Sequence, residues 1–439
     1  MKLAVITCTL SEEALAASEL LRVFSRFHAA NAPFLTPLLV VSQGVRFDWT
    51  HDEKTRIFRQ ENFGGAGGFT RGILEAKKLG ATHVLLLDDD AIPDEKSLKK
   101  TLDYYMKNED KMTALHGTMF SNNEPDKIFM AGTWVDEKTF KIKGRLSGYK
   151  VANENLEDDP VLWENMEIDY GAWFFFAYPL KVVDKVGLPL PLFIQNDDLE
   201  YGIRLKKAGI PTLPLPGLRV WHPEFGTHQK RWYVFFSFRN RLIEKAVHTN
   251  LSTIAIGAEL TKKFFYRFLA FQYDEANYIT EAIHAYLKGP ENLKKNPSQD
   301  VLMAKSIIEK WPISFSSADT TKHKRFDAPK DIPLWREILR ALLLNGFFFP
   351  KKENLLPVFE RGAFKWTEVN ECRKYGLVSK NEKEIKIYEF FRRKLCGLAL
   401  AFIWVLFLFF LKNYFVKKQW KSQFPLLTSE PFWREYLSE

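Results

Sequence analysis

The chain has 439 residues, 46% of them hydrophobic and 15% aromatic, with 38 phenylalanines and a net charge of +9. This composition excludes a disordered chain and leaves room for roughly two or three domains around a large core. Three cysteines, Cys8, Cys372 and Cys396, are too few and too scattered for a disulfide framework or a thiolate metal site, and suit a reducing compartment. The positive excess suits a phosphorylated ligand or anionic lipid, and no nucleic-acid-binding motif accompanies it.

Met1-Lys2 lead straight into an apolar run, residues 3–9, which predicts a buried first strand in place of a secretory leader. The catalytic part is therefore expected in the cytosol. Residues 12–28 carry Ala17, Leu20, Leu21 and Phe24 at helical spacing. Apolar runs at 37–42 and 55–59 predict two further strands. The segment Asn62-Phe63-Gly64-Gly65-Ala66-Gly67-Gly68-Phe69-Thr70-Arg71-Gly72 predicts a glycine turn over 63–68 and a helix over 69–78. Glycines let backbone approach a ligand, and free N–H groups at a helix start suit phosphate. Arg71 can add a charge-assisted bond to a diphosphate oxygen. The same residues also suit a plain tight turn. The dinucleotide pattern fails because Thr70 stands where a third glycine is needed, and the P-loop fails because Ile73 stands where lysine is needed.

Residues 83–87 predict the next buried strand, which ends in Asp88-Asp89-Asp90. Alternate residues of an extended chain share a face, so Asp88 and Asp90 can form a hard oxygen site for Mg²⁺ or Mn²⁺ carrying a diphosphate. An exposed acidic turn is the plainer alternative. A helix over 98–106 and a strand over 112–116 continue the alternation, which implies an α/β fold with a mostly parallel sheet. Ligands of such sheets sit beyond the strands' carboxyl ends, where Asp88–Asp90 lie.

Tyr170-Gly171-Ala172-Trp173-Phe174-Phe175-Phe176 is aromatic enough for a core, and Trp173 is its candidate wall of a binding site. Asn196-Asp197-Asp198-Leu199-Glu200-Tyr201-Gly202 opens a helix. Asp197 reads as a cap, whereas Asp198 exceeds what capping needs and can serve as a general base. Glu200 and Arg204, four apart, can pair. Trp221-His222 ends a strand. A lone histidine is usually structural, but imidazole is a fitting third ligand for Mn²⁺. In the helix that follows, Arg239 meets either a phosphate or an acidic core partner.

Beyond a soft boundary at 245 the strand signal fades. Residues 1–245 read as one domain and 246–439 as a helical, basic, aromatic one, with helices over 258–269, 276–287 and 301–311 and a polar linker over 322–333. Residues 395–411 are a run of 17 without a charge, with Lys412, Lys417, Lys418 and Lys421 following and Arg392, Arg393 and Lys394 preceding. A helix of this length is about 25 Å long, short for a span, and basic flanks on both sides suit monotopic or re-entrant insertion against an anionic membrane surface. Residues 342–349 add a second apolar patch beside Lys351 and Lys352. A buried core helix is the alternative.

As an ordered set these segments resemble the inverting family 2 glycosyltransferases of GT-A fold, and above all the galactan-building galactofuranosyltransferases. The likeness rests on Gly64–Gly72, Asp88–Asp90, Trp173–Phe174, Asp197–Gly202, Trp221–His222 and Arg239–Arg241, within residues 55–245. It implies a GT-A-type nucleotide-sugar-binding sheet and a UDP-sugar donor contacted by Gly64, Gly65, Gly67, Gly68, Arg71, Asp89, Trp173 and Asp197. It also implies Mn²⁺ or Mg²⁺ held by Asp88, Asp90 and His222, and Asp198 as catalytic base. The expected reaction is transfer of one sugar, galactofuranose first, to a lipid-linked glycan acceptor in cell-surface polysaccharide synthesis. Its expected place is the cytoplasmic face of the membrane, and a homo-oligomer is compatible with the chain. Phe174 stands where the group has a second tryptophan, which bears on the sugar contacts. Two rivals are a sugar-nucleotide pyrophosphorylase, which needs no Asp198 base or membrane segment, and a non-enzymatic membrane-docking protein, which needs no paired carboxylates.

Overall fold

The computed structural model describes residues 1–48, 53–136, 139–151, 155–223, 230–317, 325–326, 333–343, 358–359, 366–369, 372–378 and 384–438. Its centre is a seven-stranded sheet. Four strands, β1 (Leu3–Ser11), β2 (Leu38–Val45), β3 (Thr55–Arg59) and β4 (His83–Asp88), pair in parallel in the order β4-β1-β2-β3. Beyond β4 lie Phe176–Pro179, antiparallel to it, then Ala114–His116 and Thr212–Leu213.

β4 and the starts of β1 and β2 are continuous apolar runs because both faces of the sheet are covered there, while the edge strand β3 exposes Arg56 and Arg59. Along β4, Val84 and Leu86 enter one core cluster while Leu85 and Leu87 enter the other. The first cluster runs on without a break into Phe264, Tyr286, Phe402, Phe409, Trp420 and Trp433 of the C-terminal half. The chain end returns to the first half: Trp433 Nε1 donates to the Pro189 carbonyl at 2.8 Å, and Glu430 pairs with Lys77 at 2.7 Å.

Three helices match the expected positions with longer starts: Thr253–Leu269, Tyr273–Leu287 and Ser298–Lys310. The stretch expected as one helix over 12–28 is two, Glu12–Ala16 and Glu19–Asn31, because Ser18 is extended (ψ 152°) and starts the second. A five-stranded sheet that sequence periodicity did not reveal lies between the helices of the C-terminal half. The stretch 322–333 and the patch 342–349 with Lys351 and Lys352 fall almost wholly outside the described residues.

The apolar run 395–411 lies within one continuous helix, Arg392–Leu427, of 36 residues. Among the described residues it alone is long and apolar enough to cross a bilayer, with mean hydropathy 2.4 in its most apolar window. One face is core: Phe402 stacks on Phe264 at 3.7 Å between ring centroids. The opposite face carries Leu400, Ile403, Trp404, Phe407, Leu411, Tyr414 and Phe415, each at least half exposed.

Candidate active site

The acidic strand end and the histidine are brought together by register. A four-stranded sheet pairs Ile92–Pro93 antiparallel with Arg219–His222, Trp221 lying opposite Ile92. Continuing that register carries His222 to the chain just before Ile92, beside Asp90. His222 Nε2 stands 2.9 Å from Asp90 Oδ1 and 3.7 Å from Asp88 Oδ2. Its Nδ1 lies 2.6 Å from the Pro223 carbonyl, which can only accept, so Nδ1 carries a proton and Nε2 faces the carboxylates. Burial opposes charge on this ring, but Asp88 and Asp90 outweigh it and push its pKa up to about 10.

Three ligand atoms, one from each side chain, lie within 4.8 Å of one another. Neighbouring ligands around an octahedral Mg²⁺ or Mn²⁺, at bonds of about 2.1 Å, stand roughly 3 Å apart, so this oxygen–oxygen–nitrogen set fits such an ion with small side-chain adjustments.

Beside it lies a cavity of 290 Å³ beyond the carboxyl ends of β1, β2 and β4, lined by Cys8, Thr9, Gln43, Gly64, Gly65, Asp88, Asp89 and Phe193, with Trp232 and Tyr233 opposite. Burial pushes Asp89 up to about 6. Burial, with Asp88, Asp89 and Asp197 adding to it, keeps the Cys8 thiol neutral.

The glycine run is not a turn. A helix starts at Gly64 and continues to Lys78. Gly64 (φ +69°) has the Phe193 carbonyl oxygen 2.0 Å from where a Cβ would stand, and its N–H donates to Asn62 Oδ1 at 2.9 Å. Gln43 braces this entry, donating to the Gly64 carbonyl at 2.9 Å and accepting from the Phe63 N–H at 3.0 Å. Only Gly64 and Gly65 reach the cavity. Gly67 meets Phe63, and Gly68 meets Cys8 and Gln43, so both serve close packing inside the fold.

Starting the helix five residues early also moves Arg71 two turns from its end. Arg71 pairs there with Glu75 at 2.9 Å and does not line the cavity. Trp173, expected as a wall, is buried in the core, edge-on to Phe69 at 5.3 Å. Its neighbour Phe174, in the turn before the strand Phe176–Pro179, is the one beside His222, at 6.1 Å between rings.

Asp197 and Asp198 open the helix Asp197–Lys207. Gly65 leaves room for the Asp197 carboxylate, which lies 3.0 Å from where a Cβ would stand. Burial and then the neighbouring Asp198 push Asp197 well up. Asp198 accepts from the Leu199 N–H at 2.7 Å, and burial, then the charge of Asp88, raise it to about 6. The preceding loop is bent through left-handed conformations at Phe193 (φ 72°), Gln195 (φ 67°) and Asn196 (φ 69°). The helix Tyr233–His248 holds that shape. Asn240 Nδ2 donates to the carbonyls of Leu192, Ile194 and Gln195 at 3.1, 2.8 and 2.7 Å. Arg239 takes the acidic partner, Asp300, at 2.6 Å, and also donates to the Leu192 carbonyl. Below the turn, Glu200 is fully buried between Arg204 and His248, both at 2.8 Å. Asn240, Gln43, Lys230, Trp232 and Lys305 were not singled out from sequence. For Asn240 the pattern Arg239-Asn240-Arg241 was the available signal.

A carboxylate–imidazole group able to hold a cation thus adjoins a cavity at the sheet's carboxyl edge, and the Asp198 carboxylate is raised by burial and then by the charge of Asp88. Residues 46–243 match the family described as glycosyltransferase like family 2.

The chain is similar to two galactofuranosyltransferases named GlfT2. It is 29% identical to that of Mycobacterium tuberculosis over 251 residues, covering 54% of this chain and 39% of the relative. To that of Mycolicibacterium smegmatis it is 28% identical over 253 residues, covering 55% and 39%. The matched region thus spans about two fifths of the length of these relatives. Galactofuranosyltransferase GlfT1 of Mycolicibacterium smegmatis is 26% identical over 203 residues, covering 43% and 64%. Among solved structures, GalNAc-T7 with UDP, GalNAc and Mn²⁺ matches with TM-score 0.41 and 12% identity over 60% of this chain and 50% of that one. Mannosyltransferase PcManGT from Pyrobaculum calidifontis with GDP-Man and Mn²⁺ gives 0.37 and 13%, over 71% and 81%.

Proposed function

We propose that this chain is an inverting, metal-dependent glycosyltransferase moving one sugar, galactofuranose first among candidates, from a UDP donor to a lipid-linked glycan. The observation that carries this is the meeting of Asp88, Asp90 and His222 beside a cavity large enough for part of a nucleotide. Similarity to galactofuranosyltransferases supports the sugar. Asp88, Asp90 and His222 would hold Mg²⁺ or Mn²⁺, whose charge would offset that of the diphosphate. The cavity between Gly64-Gly65 and Trp232 takes the nucleotide. Asp198 accepts the proton of the acceptor hydroxyl as its oxygen bonds to the anomeric carbon. The bond from that carbon to the diphosphate oxygen breaks, its electron pair leaving with UDP, so a single displacement inverts the centre. A carboxylate raised by burial is a stronger base than an exposed one and suits that step.

The exposed apolar face of Arg392–Leu427, with Lys412, Lys417, Lys418 and Lys421 beyond its apolar run, supports docking on an anionic membrane. On this reading the protein works at the cytoplasmic face of that membrane, on a lipid-linked acceptor.

The test is donor turnover with UDP-galactofuranose, UDP-galactose and UDP-glucose side by side, with chelator and with Mn²⁺ added back. UDP release that needs the cation, fastest with the furanose, is expected. Full turnover in excess chelator would remove the cation from the reading. Preference for a pyranose would remove the sugar, and pyrophosphate as product would favour a pyrophosphorylase.

A further inference from the structure

The cavity has a basic wall that no sequence motif announced. Its floor is acidic, from Asp88 and Asp89, yet a diphosphate brings still more negative charge. Arg71, the expected counter-charge, is occupied by Glu75 away from the cavity, Arg231 by Asp274 and Arg239 by Asp300. The cations that line the cavity are Lys230 and Lys305.

Lys305 comes from the helix Ser298–Lys310, beyond the residues that match the family. Val301 and Lys305, four apart, share one helical face and both line the cavity, while Ala304 and Ile307 are buried in the core. The helix is fixed where it stands. Asp300 accepts from Arg239 at 2.6 Å and from Asn292 at 3.2 Å, and Arg239 is itself tied to the loop before the acidic turn. The Lys305 side chain is exposed, with Nζ 5.7 Å from the centroid of the Trp232 ring. Its ammonium makes no ion pair with a described residue.

We infer that Lys305 binds the diphosphate of the nucleotide donor, so that the C-terminal half of the chain completes the donor site. The assignment rests on the UDP-sugar reading above. A cation at Asp88, Asp90 and His222 offsets the carboxylates, and the ammonium of Lys305 faces the phosphate oxygens from the opposite wall.

The test is titration of the full chain in detergent with UDP and with uridine, both with Mn²⁺, uridine being followed by competition with a fluorescent UDP analogue. Lys305→Ala should weaken UDP by about tenfold and leave uridine unchanged, since a charge-assisted bond to phosphate has no counterpart in the nucleoside. Lys305→Arg should stay within about threefold of wild type. Unchanged UDP affinity in Lys305→Ala overturns the assignment. An equal loss for UDP and uridine also overturns it, because Lys305 then only supports Trp232. A wild-type chain that binds no UDP with Mn²⁺ removes the proposed function itself, and this assignment with it.

Discussion

Replacing Asn240 by alanine should damage catalysis more than stability. The Asn240 amide is the donor for the Ile194 and Gln195 carbonyls, and it shares the Leu192 carbonyl with Arg239. In the variant the Leu192 carbonyl keeps Arg239, while the other two lose their donor in a partly buried place. Leaving two such groups unmade costs about 2–3 kcal/mol, enough to lower Tm by several degrees. The greater effect is local. The loop these bonds hold has three non-glycine residues at positive φ and runs directly into Asp197 and Asp198. Released, it relaxes and carries the carboxylates with it. A displacement near 1 Å at a reacting group costs about 10²-fold in rate. Steady-state kinetics with saturating Mn²⁺ should show kcat reduced by about that factor. UDP affinity should also fall, because Phe193 and Ile194 of the same loop line the cavity, but by less than kcat, since Asp88, Asp90 and His222 stand on other elements. Differential scanning calorimetry supplies the Tm. A variant with wild-type kcat and a lowered Tm would show that the loop keeps its shape unaided and would refute the positioning role.

Asp198→Asn should keep the fold and UDP affinity while turnover falls by about 10²–10⁴, the usual share of a general base. A variant within a few-fold of wild type would move that role elsewhere, with Asp197 next in place. Because burial raises Asp198 from 3.8 to about 6, and a base acts only when deprotonated, kcat/KM should be lost as pH falls through about 6. A pH profile flat down to 4.5 would contradict this. At the membrane, changing Leu400, Ile403, Trp404 and Phe407 together to serine should release the protein into the soluble fraction with its fold intact, since all four are exposed. Fractionation that leaves the variant on membranes would show that another surface docks. Phe402→Ala, by contrast, should cost about 3–5 kcal/mol in unfolding without releasing the protein, because that ring is buried against Phe264.

The alternation of apolar runs and helical periods in the first 120 residues determined the parallel part of the sheet by itself, because strands buried on both faces must be largely apolar, whereas the insertion of Phe176–Pro179 between β4 and Ala114–His116 and the addition of Thr212–Leu213 were decided by the tertiary structure. The acidic end of β4 was legible because three carboxylates cannot continue a buried strand. That His222 joins Asp88 and Asp90 followed from the resemblance of the ordered motifs, whereas the contact itself is made by the pairing of Trp221 with Ile92 across some 130 residues of chain. The roles of Arg71 and Trp173 were not legible, since a helix that begins at Gly64 turns Arg71 to Glu75 and the turn before Phe176 buries Trp173 against Phe69. The length of apolar sequence at 395–411 was plain, but a hydropathy run is the same for a helix buried on every side and one left bare along a stripe. Only the packing of Phe402 and Phe409 inward set Trp404 and Phe407 outward, and only the packing of the helix Ser298–Lys310 against Tyr273–Leu287 and its tie to Arg239 brought Lys305 to a cavity that begins about 300 residues earlier, at Cys8.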